Sequence, residues 1–261
     1  MNYLKLLIRP IFNSKLFVSV RNIIGYKPVG FLFPNSVKNF SCSDLFFWRT
    51  DNGFKTIFRF SNIPEIFFGI NKSKVLIIFY DSLGIELKRT KIKVKASVSE
   101  IEIDSAYLGG ITDIGTFSIF HLIDRDDTQE IKIINRCYVA YQRDQSIPTF
   151  VHGNIEAQYI NLASQEKEKV ENDIAKVVYF KNEYLIQKNL SLFDYSELLF
   201  SNPHKARIWI SIDGKREILE SLSSKLIKIK DNDVVSVRSN LSMPRPVIFS
   251  YKGKFFDCHH G

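Results

Sequence analysis

The feature that most constrains the fold is a pattern that occurs twice in the chain. Residues 74–87 and 207–219 each contain an apolar run, a turn with Asp and Gly, and a second run that opens with Glu. An Asp-Gly turn between apolar runs is typical of a β-hairpin. Similar blocks in the same order indicate an internal repeat, and chance similarity between hairpins is the alternative.

The agreement continues on both sides of these hairpins. Upstream, residues 58–68 parallel residues 190–200, and downstream, residues 100–104 parallel residues 226–231. The two halves also end alike, with a strand that carries an Arg, a Ser-x-Pro loop and a last strand that reaches His-Gly. The first half contains an additional stretch, which we interpret as an insertion at about residues 105–136.

This repeat predicts the fold class and the domains. Short apolar runs separated by Asp, Gly, Asn and Pro, without βαβ alternation, predict antiparallel sheets. We therefore expect a mainly β protein with two tandem antiparallel β-sandwich-like halves from an internal duplication. One fused sandwich or barrel is the alternative. The expected domains are a basic amphipathic segment at 1–40, a first β-rich repeat at 41–160, a short helical connector at 161–176 and a second β-rich repeat at 177–261.

The N-terminal segment combines positive charge with a helical apolar pattern. Phe12, Leu16, Val20 and Ile23 recur at helical spacing, and six Lys and Arg residues precede the first acidic residue, Asp44. This pattern predicts an amphipathic helix. Its interior charges exclude a membrane-spanning helix. The helix either packs its apolar stripe on the body or lies on an anionic membrane surface through residues 1–25.

Charge and cysteine content exclude several classes of protein. The formal net charge is +8, but most of the excess lies in the first sixth of the chain, so we expect no nucleic-acid partner. Cys42, Cys137 and Cys258 are widely spaced and form no disulfide framework, which predicts buried thiols and a cytoplasmic location. A peripheral membrane association through the N-terminal segment is the alternative location.

The sequence contains none of the common catalytic or nucleotide-binding signatures. Gly-x-Gly-x-x-Gly, P-loop, Gly-x-Ser-x-Gly and His-Glu-x-x-His patterns are absent, which disfavours dinucleotide binding, α/β-hydrolase and zincin chemistry. We therefore favour a protein that is not an enzyme.

A candidate ligand site lies at the matching ends of the two halves. Arg143 and Arg238 stand beside the two Ser-x-Pro loops, where two guanidinium groups could bind a carboxylate, a phosphate or an acidic sugar. The alternative is a structural role, in which each Arg bonds loop carbonyls. The predicted ligand-binding residues are Arg143, Arg238, Ser146, Ser242, His152 and His259.

A second candidate site would hold a divalent metal. Asp257 and His259 alternate along the last strand and point to the same face, and His152 and His121 could supply further ligands. The alternative is a surface-packed terminus.

Three functions follow from these candidates. The first is a non-catalytic binding or assembly protein for a carbohydrate or an anionic metabolite at the paired Arg and His loops. The second is a metal-dependent enzyme that uses His121, His152, Asp257 and His259. The third is a peripheral membrane protein that acts through residues 1–25.

Overall fold

A computed structural model describes the greater part of the body of the chain. The described residues are 11, 14, 16–17, 20, 27–30, 38–71, 73–94, 96–123, 130–135, 137–153, 156–163, 168–171, 176–178, 182–187, 193–203, 207–230, 234–240 and 245–261. They form a mainly β protein with several four-stranded antiparallel sheets, as the sequence predicts. No helix in this part of the chain is long and apolar enough to cross a membrane.

The first unit consists of two four-stranded antiparallel sheets. Sheet 1a contains, in spatial order, β3 (Phe46–Arg49), β8 (Ile114–Ile123), β5 (Ser73–Tyr80) and β6 (Glu86–Lys93). Sheet 1b contains β11 (Thr149–His152), β10 (Tyr138–Arg143), β4 (Phe54–Ser61) and β7 (Val98–Ile103). Their facing sides share one core, in which Phe58 of sheet 1b and Phe117 of sheet 1a are buried 4.8 Å apart between ring centroids.

A third sheet covers the outer face of sheet 1a. It contains β13 (Val170–Glu171), β12 (Glu156–Asn161), β2 (Phe40–Asp44) and β9 (Lys132–Asn135), with β2 and β9 parallel. Leu76 and Phe120 of sheet 1a pack there against Ile133 and Ile160. This explains why strands β5 and β8 are apolar on both faces instead of alternating.

The chain passes between two of these sheets at Leu45, which separates β2 from β3. Before this point β2 pairs in the third sheet, but two of its side chains also bond the backbone of sheet 1a. The hydroxyl groups of Ser43 and Ser41 accept hydrogen bonds from the backbone N–H groups of Ile119 (2.8 Å) and His121 (2.9 Å). Buried N–H groups need such partners, and the two serines supply them where β8 extends past the first residue of β3.

The second unit also consists of two four-stranded antiparallel sheets. Sheet 2a contains β15 (Asn182–Gln187), β20 (Val234–Ser239), β17 (Ile208–Ile212) and β18 (Lys215–Leu219). Sheet 2b contains β22 (Phe255–His260), β21 (Val247–Lys252), β16 (Tyr195–Ser201) and β19 (Ser224–Ile229). Leu198 and Ile248 of sheet 2b pack against Ile210 and Val237 of sheet 2a in a separate core.

The two units have the same strand order. The eight strands of the first unit are β3–β8, β10 and β11, and those of the second unit are β15–β22. When each set is numbered from 1 to 8 in chain order, one sheet has the spatial order 1-6-3-4 and the other has the order 8-7-2-5, in both units. The predicted hairpins are present as β5–β6 and β17–β18. Strand β8 lies inside the predicted insertion, yet it is a central strand of sheet 1a and corresponds to β20.

Some predicted helices fall differently. The N-terminal helix lies mostly outside the described residues. Of its apolar stripe, Leu16 and Val20 have helical backbone and exposed side chains. The described residues of the predicted helical connector are strand and turn, because Val170 of β13 packs against the core of the third sheet. A short strand pair joins β1 (Lys27–Gly30) to β14 (Lys176–Val178). One six-residue helix, α1 (Ile63–Phe68), lies between β4 and β5.

Candidate binding face

The outer face of sheet 2b is buried against the first unit. Phe249 makes edge contacts with the rings of Tyr141 (4.8 Å between centroids) and Phe54 (5.6 Å). Val247, Phe249 and Tyr251 are nearly inaccessible to solvent and belong to the core of the first unit. The units are therefore joined by apolar packing as well as by the chain.

A buried arginine lies at the centre of this junction. The Arg49 side chain is 0% exposed and bonds Asp51 (Nε to Oδ1, 2.7 Å) and Glu197 of the second unit (Nη1 to Oε2, 2.7 Å). Its guanidinium group also donates to the Tyr251 hydroxyl (3.0 Å). Burial opposes the charge of Arg49, but the hydrogen bond to Asp51 and the charges around it raise its pKa above the ordinary value.

The equivalent face of the first unit is partly open to solvent, because Arg59, Tyr138 and Phe150 are exposed there although Ile57 and Ala140 are buried. Strand pairing matches each residue of this face with one in the buried face of sheet 2b. The matched pairs, first unit then second, are Ile57 and Glu197, Arg59 and Leu199, Tyr138 and Val247, Ala140 and Phe249, Gln142 and Tyr251, Phe150 and Cys258. At three of these positions the first unit has an exposed aromatic or charged group, Arg59, Tyr138 or Phe150, where the second unit has a buried Leu199, Val247 or Cys258.

The first row of this open face crosses all four strands of sheet 1b. Tyr138 of β10 lies opposite His152 on β11 and Arg59 on β4, and Arg59 lies opposite Glu100 on β7. Tyr138 is 60% exposed, and the Arg59 guanidinium group forms an ion pair with Glu100. Because side chains alternate across a strand, these four groups project from the same face.

The second row places another aromatic ring beside the first. Phe150 is 40% exposed, and the Arg59 guanidinium group lies over its ring, 4.8 Å from the centroid. On the far side, Lys55 Nζ pairs with Glu102 Oε1 at 2.9 Å. We define the binding face as Tyr138, Phe150, Arg59, Glu100, Lys55 and Glu102. It offers two aromatic rings for stacking, two positive groups that can donate hydrogen bonds and two carboxylates that can accept them.

The structure gives two predicted ligand residues roles in a turn. Arg143 donates from Nε to the carbonyl of Asn52 (3.2 Å), and its guanidinium group lies 5.6 Å from the centroid of the Tyr251 ring. Ser146 closes the same turn, since its hydroxyl accepts from the N–H of Arg143 (3.1 Å). Both residues satisfy local backbone groups, which was the structural alternative.

The predicted pairing of Arg143 with Arg238 is not reproduced. Arg143 is on β10, whose counterpart is β21, whereas Arg238 is exposed on β20, the counterpart of β8. The two guanidinium groups therefore stand on strands that are not equivalent. Ser242 lies outside the described residues.

The strand ends do converge, but through a different histidine. His152 corresponds to His260, and their rings lie 4.5 Å apart between centroids. Nε2 of His260 donates to the carbonyl of His152 (2.7 Å), and Nδ1 of His152 donates to the carbonyl of Gly153 (2.6 Å). Burial lowers the pKa of His260, and electrostatic interactions with His152, Arg245 and His259 act in the same direction, whereas the hydrogen bond to the carbonyl of His152 opposes them.

The four predicted metal ligands do not form a described site. His121 is buried in β8, whereas His259 and Asp257 are on β22, with Nδ1 and Oδ2 3.9 Å apart. Among the described residues no group of three or more His, Cys, Asp or Glu side chains is arranged to hold a metal ion. The three cysteines are buried and form no disulfide bond.

Tyr138, Phe150 and Arg59 were not among the residues predicted from the sequence. The available signal was the alternation in β10 and β11, where Tyr138, Ala140 and Gln142 share one face with Phe150 and His152. This alternation identifies a face, but a sequence cannot show whether that face packs on the other unit or meets solvent.

Comparison with known proteins adds little to this description. No protein-family model and no curated protein matches the chain. Among solved structures, the chain is similar to Pleurotus ostreatus lectin in its apo form, with 6% sequence identity, a TM-score of 0.22 and coverage of 90% of this chain and 81% of that one. So low a TM-score does not define a shared fold. The class is therefore defined by the described residues alone: a mainly β protein with one exposed aromatic and charged sheet face.

Proposed function

We propose that the chain is a non-catalytic binding protein for a carbohydrate, and that the binding face of sheet 1b holds the ligand. We also propose that its two units arose by internal duplication. The observation that carries the functional proposal is the contrast between equivalent faces: the face that is buried at the junction in the second unit carries two exposed aromatic rings, Tyr138 and Phe150, in the first unit.

Strand order and a matched polar contact support the duplication. Strands β4 and β16 are equivalent, and each is followed by a buried Asn. The backbone N–H of Asn62 donates to the carbonyl of Ser97 (2.8 Å), and that of Asn202 donates to the carbonyl of Ser223 (2.9 Å). Both contacts tie the end of the second strand of a unit to the start of its fifth strand.

The chemistry of the binding face favours a neutral sugar over an anion. An exposed ring suits the apolar C–H face of a pyranose, and Tyr138 adds a hydroxyl that can donate and accept. Arg59 and Lys55 are each paired with a carboxylate, so the face offers no unpaired positive charge for a phosphate or a carboxylate ligand. The carboxylates of Glu100 and Glu102 can accept hydrogen bonds from sugar hydroxyls.

A glycan array that includes neutral and acidic oligosaccharides tests this proposal with the full chain. We expect binding to neutral oligosaccharides, confirmed by calorimetry with the strongest array ligand. Tyr138→Ala and Phe150→Ala should each weaken that binding about tenfold or more, the equivalent of about 1.4 kcal/mol.

Phe255→Ala is the matched control, because Phe255 is an exposed ring on β22, outside the binding face. It should leave the affinity unchanged. An array without signal, or equal losses in Phe255→Ala and Phe150→Ala, would show that this face is not the site. Release of smaller sugars from the bound oligosaccharide would contradict a non-catalytic role.

A further inference from the structure

The two aromatic rings of the binding face are carried by strands that are held to different degrees. Tyr138 is on β10, which pairs with β11 on one side and with β4 on the other. Phe150 is on β11, a four-residue strand at the edge of sheet 1b whose pairing partner among the described residues is β10. A short edge strand is paired on one side only and opens more easily than a central strand. The position of Phe150 therefore depends on what holds β11 from its other side.

The neighbours of Phe150 within sheet 1b give its ring little support. Its direct neighbour on β10 is Ala140, whose buried side chain is too small to fix the orientation of a phenyl ring. The Arg59 guanidinium group lies over the ring, 4.8 Å from its centroid, but its ion pair is with Glu100, on the far side of β4. The backbone of β11 therefore sets where the ring stands.

The second unit holds β11 through a histidine. Strand β22 lies beside β11, and Nε2 of His260 donates to the main-chain carbonyl of His152 (2.7 Å). The rings of these two histidines are 4.5 Å apart between centroids. His152 is the last residue of β11, two positions after Phe150 and on the same face of the strand. The hydrogen bond thus fixes the end of the strand that carries the Phe150 ring.

His260 is itself anchored at the junction of the units. It pairs with Val247 of β21, whose side chain is nearly inaccessible and packs in the core of the first unit. The next residue, Gly261, donates from its N–H to the carbonyl of Pro246 (3.0 Å) and accepts from Nε of Arg245 (3.0 Å). The histidine therefore reaches β11 from a strand whose position is set by the packing of the two units.

We propose that His260 is a positioning residue of the binding face: its hydrogen bond to β11 holds Phe150 where a sugar stacked on Tyr138 also meets the second ring. This inference rests on the proposed carbohydrate function. It makes the second unit part of the site that the first unit displays.

Calorimetry with the strongest glycan-array ligand and the full chain tests the effect on binding. His260→Ala should weaken binding about threefold to tenfold, the net value of one hydrogen bond. His260→Gln should restore the affinity, because its side-chain amide can donate to the same carbonyl. In a chain that already carries Phe150→Ala, His260→Ala should cause no further loss, since the ring that it positions is absent.

Amide hydrogen exchange tests the effect on β11 without any ligand. The protection of the β11 amides should fall about threefold to tenfold in His260→Ala and recover in His260→Gln. The amides of the central strand β4 should keep their protection in both variants, which also verifies that the variants are folded.

His259→Ala is the matched control, because His259 is on the same strand and its Nδ1 lies beside Asp257 instead of β11. It should change neither the affinity nor the protection of β11. Unchanged β11 protection in His260→Ala, failure of His260→Gln to restore it, or additive losses of affinity with Phe150→Ala would overturn the positioning role. An array without a bound glycan would instead refute the carbohydrate proposal, and the exchange measurement would still decide whether His260 holds β11.

Discussion

At the scale of single residues, Arg49 is the most consequential charge in the described molecule. It is fully buried between the rings of Phe54 and Phe249, at 4.3 and 4.8 Å from their centroids, and it balances two carboxylates from different units. Removing one partner of a buried charge network leaves the others uncompensated in a medium that solvates them poorly. Arg49→Met should therefore lower the free energy of unfolding by about 3–5 kcal/mol, measured by urea denaturation at neutral pH.

The control for this change is an arginine in an exposed ion pair. Arg59→Met removes the partner of Glu100 on the surface, where water solvates the remaining carboxylate, and it should cost less than about 1 kcal/mol. Equal losses in the two variants would mean that Arg49 contributes only packing, not charge.

At the scale of elements, the contact between β11 and β22 makes the junction sensitive to acid. Burial lowers the pKa of His260 below its ordinary value of 6.5. The folded protein therefore takes up this proton at a lower pH than the unfolded chain does. The stabilisation is complete above about pH 6.5 and is lost as the pH falls through the lowered pKa. The unaltered chain should thus be less stable at about pH 5 than at neutral pH.

The variant His260→Gln separates this effect from general acid destabilisation. Its amide can still donate to the carbonyl of His152, but it does not titrate, so the variant should lose less stability between neutral pH and about pH 5. Urea denaturation at the two pH values measures the difference. His259→Gln, one residue away, should keep most of the pH effect, because His259 makes the smallest contribution to the lowered pKa of His260. A pH effect as small as that of His260→Gln would contradict the assignment to His260.

The elements also show how far sequence reasoning reaches in this chain. The hairpins β5–β6 and β17–β18 follow from local patterns, because turn residues and alternation are local properties. The alignment of β10 with β20 fails because both are apolar runs that carry an Arg near a Ser-x-Pro loop, whereas strand order depends on long-range pairing. The binding face was missed for a related reason: Tyr138 and Val247 are equivalent, and only the packing of the units exposes one and buries the other.

At the scale of the whole molecule, the same contrast between equivalent faces determines whether a unit can exist alone. Residues 177–261 without the first unit would expose Leu199, Val247, Phe249 and Tyr251, and would leave Glu197 without Arg49. An apolar sheet face open to water promotes association. We expect this fragment to aggregate or to lack a cooperative unfolding transition, measured by size-exclusion chromatography and thermal denaturation.

The first unit supplies the corrective substitutions for that fragment. Leu199→Arg, Val247→Tyr, Phe249→Ala and Tyr251→Gln give the buried face of sheet 2b the residues found at the equivalent positions of sheet 1b. In the fragment these changes should restore a monomer that unfolds cooperatively. In the full chain they should destabilise the protein, because they remove the apolar contacts with Phe54 and Tyr141 and crowd the junction. If the four substitutions leave the full chain as stable as before, the face of sheet 2b does not join the units in solution. If they improve the fragment and damage the full chain, one sheet face serves as a junction in one unit and as an open surface in the other.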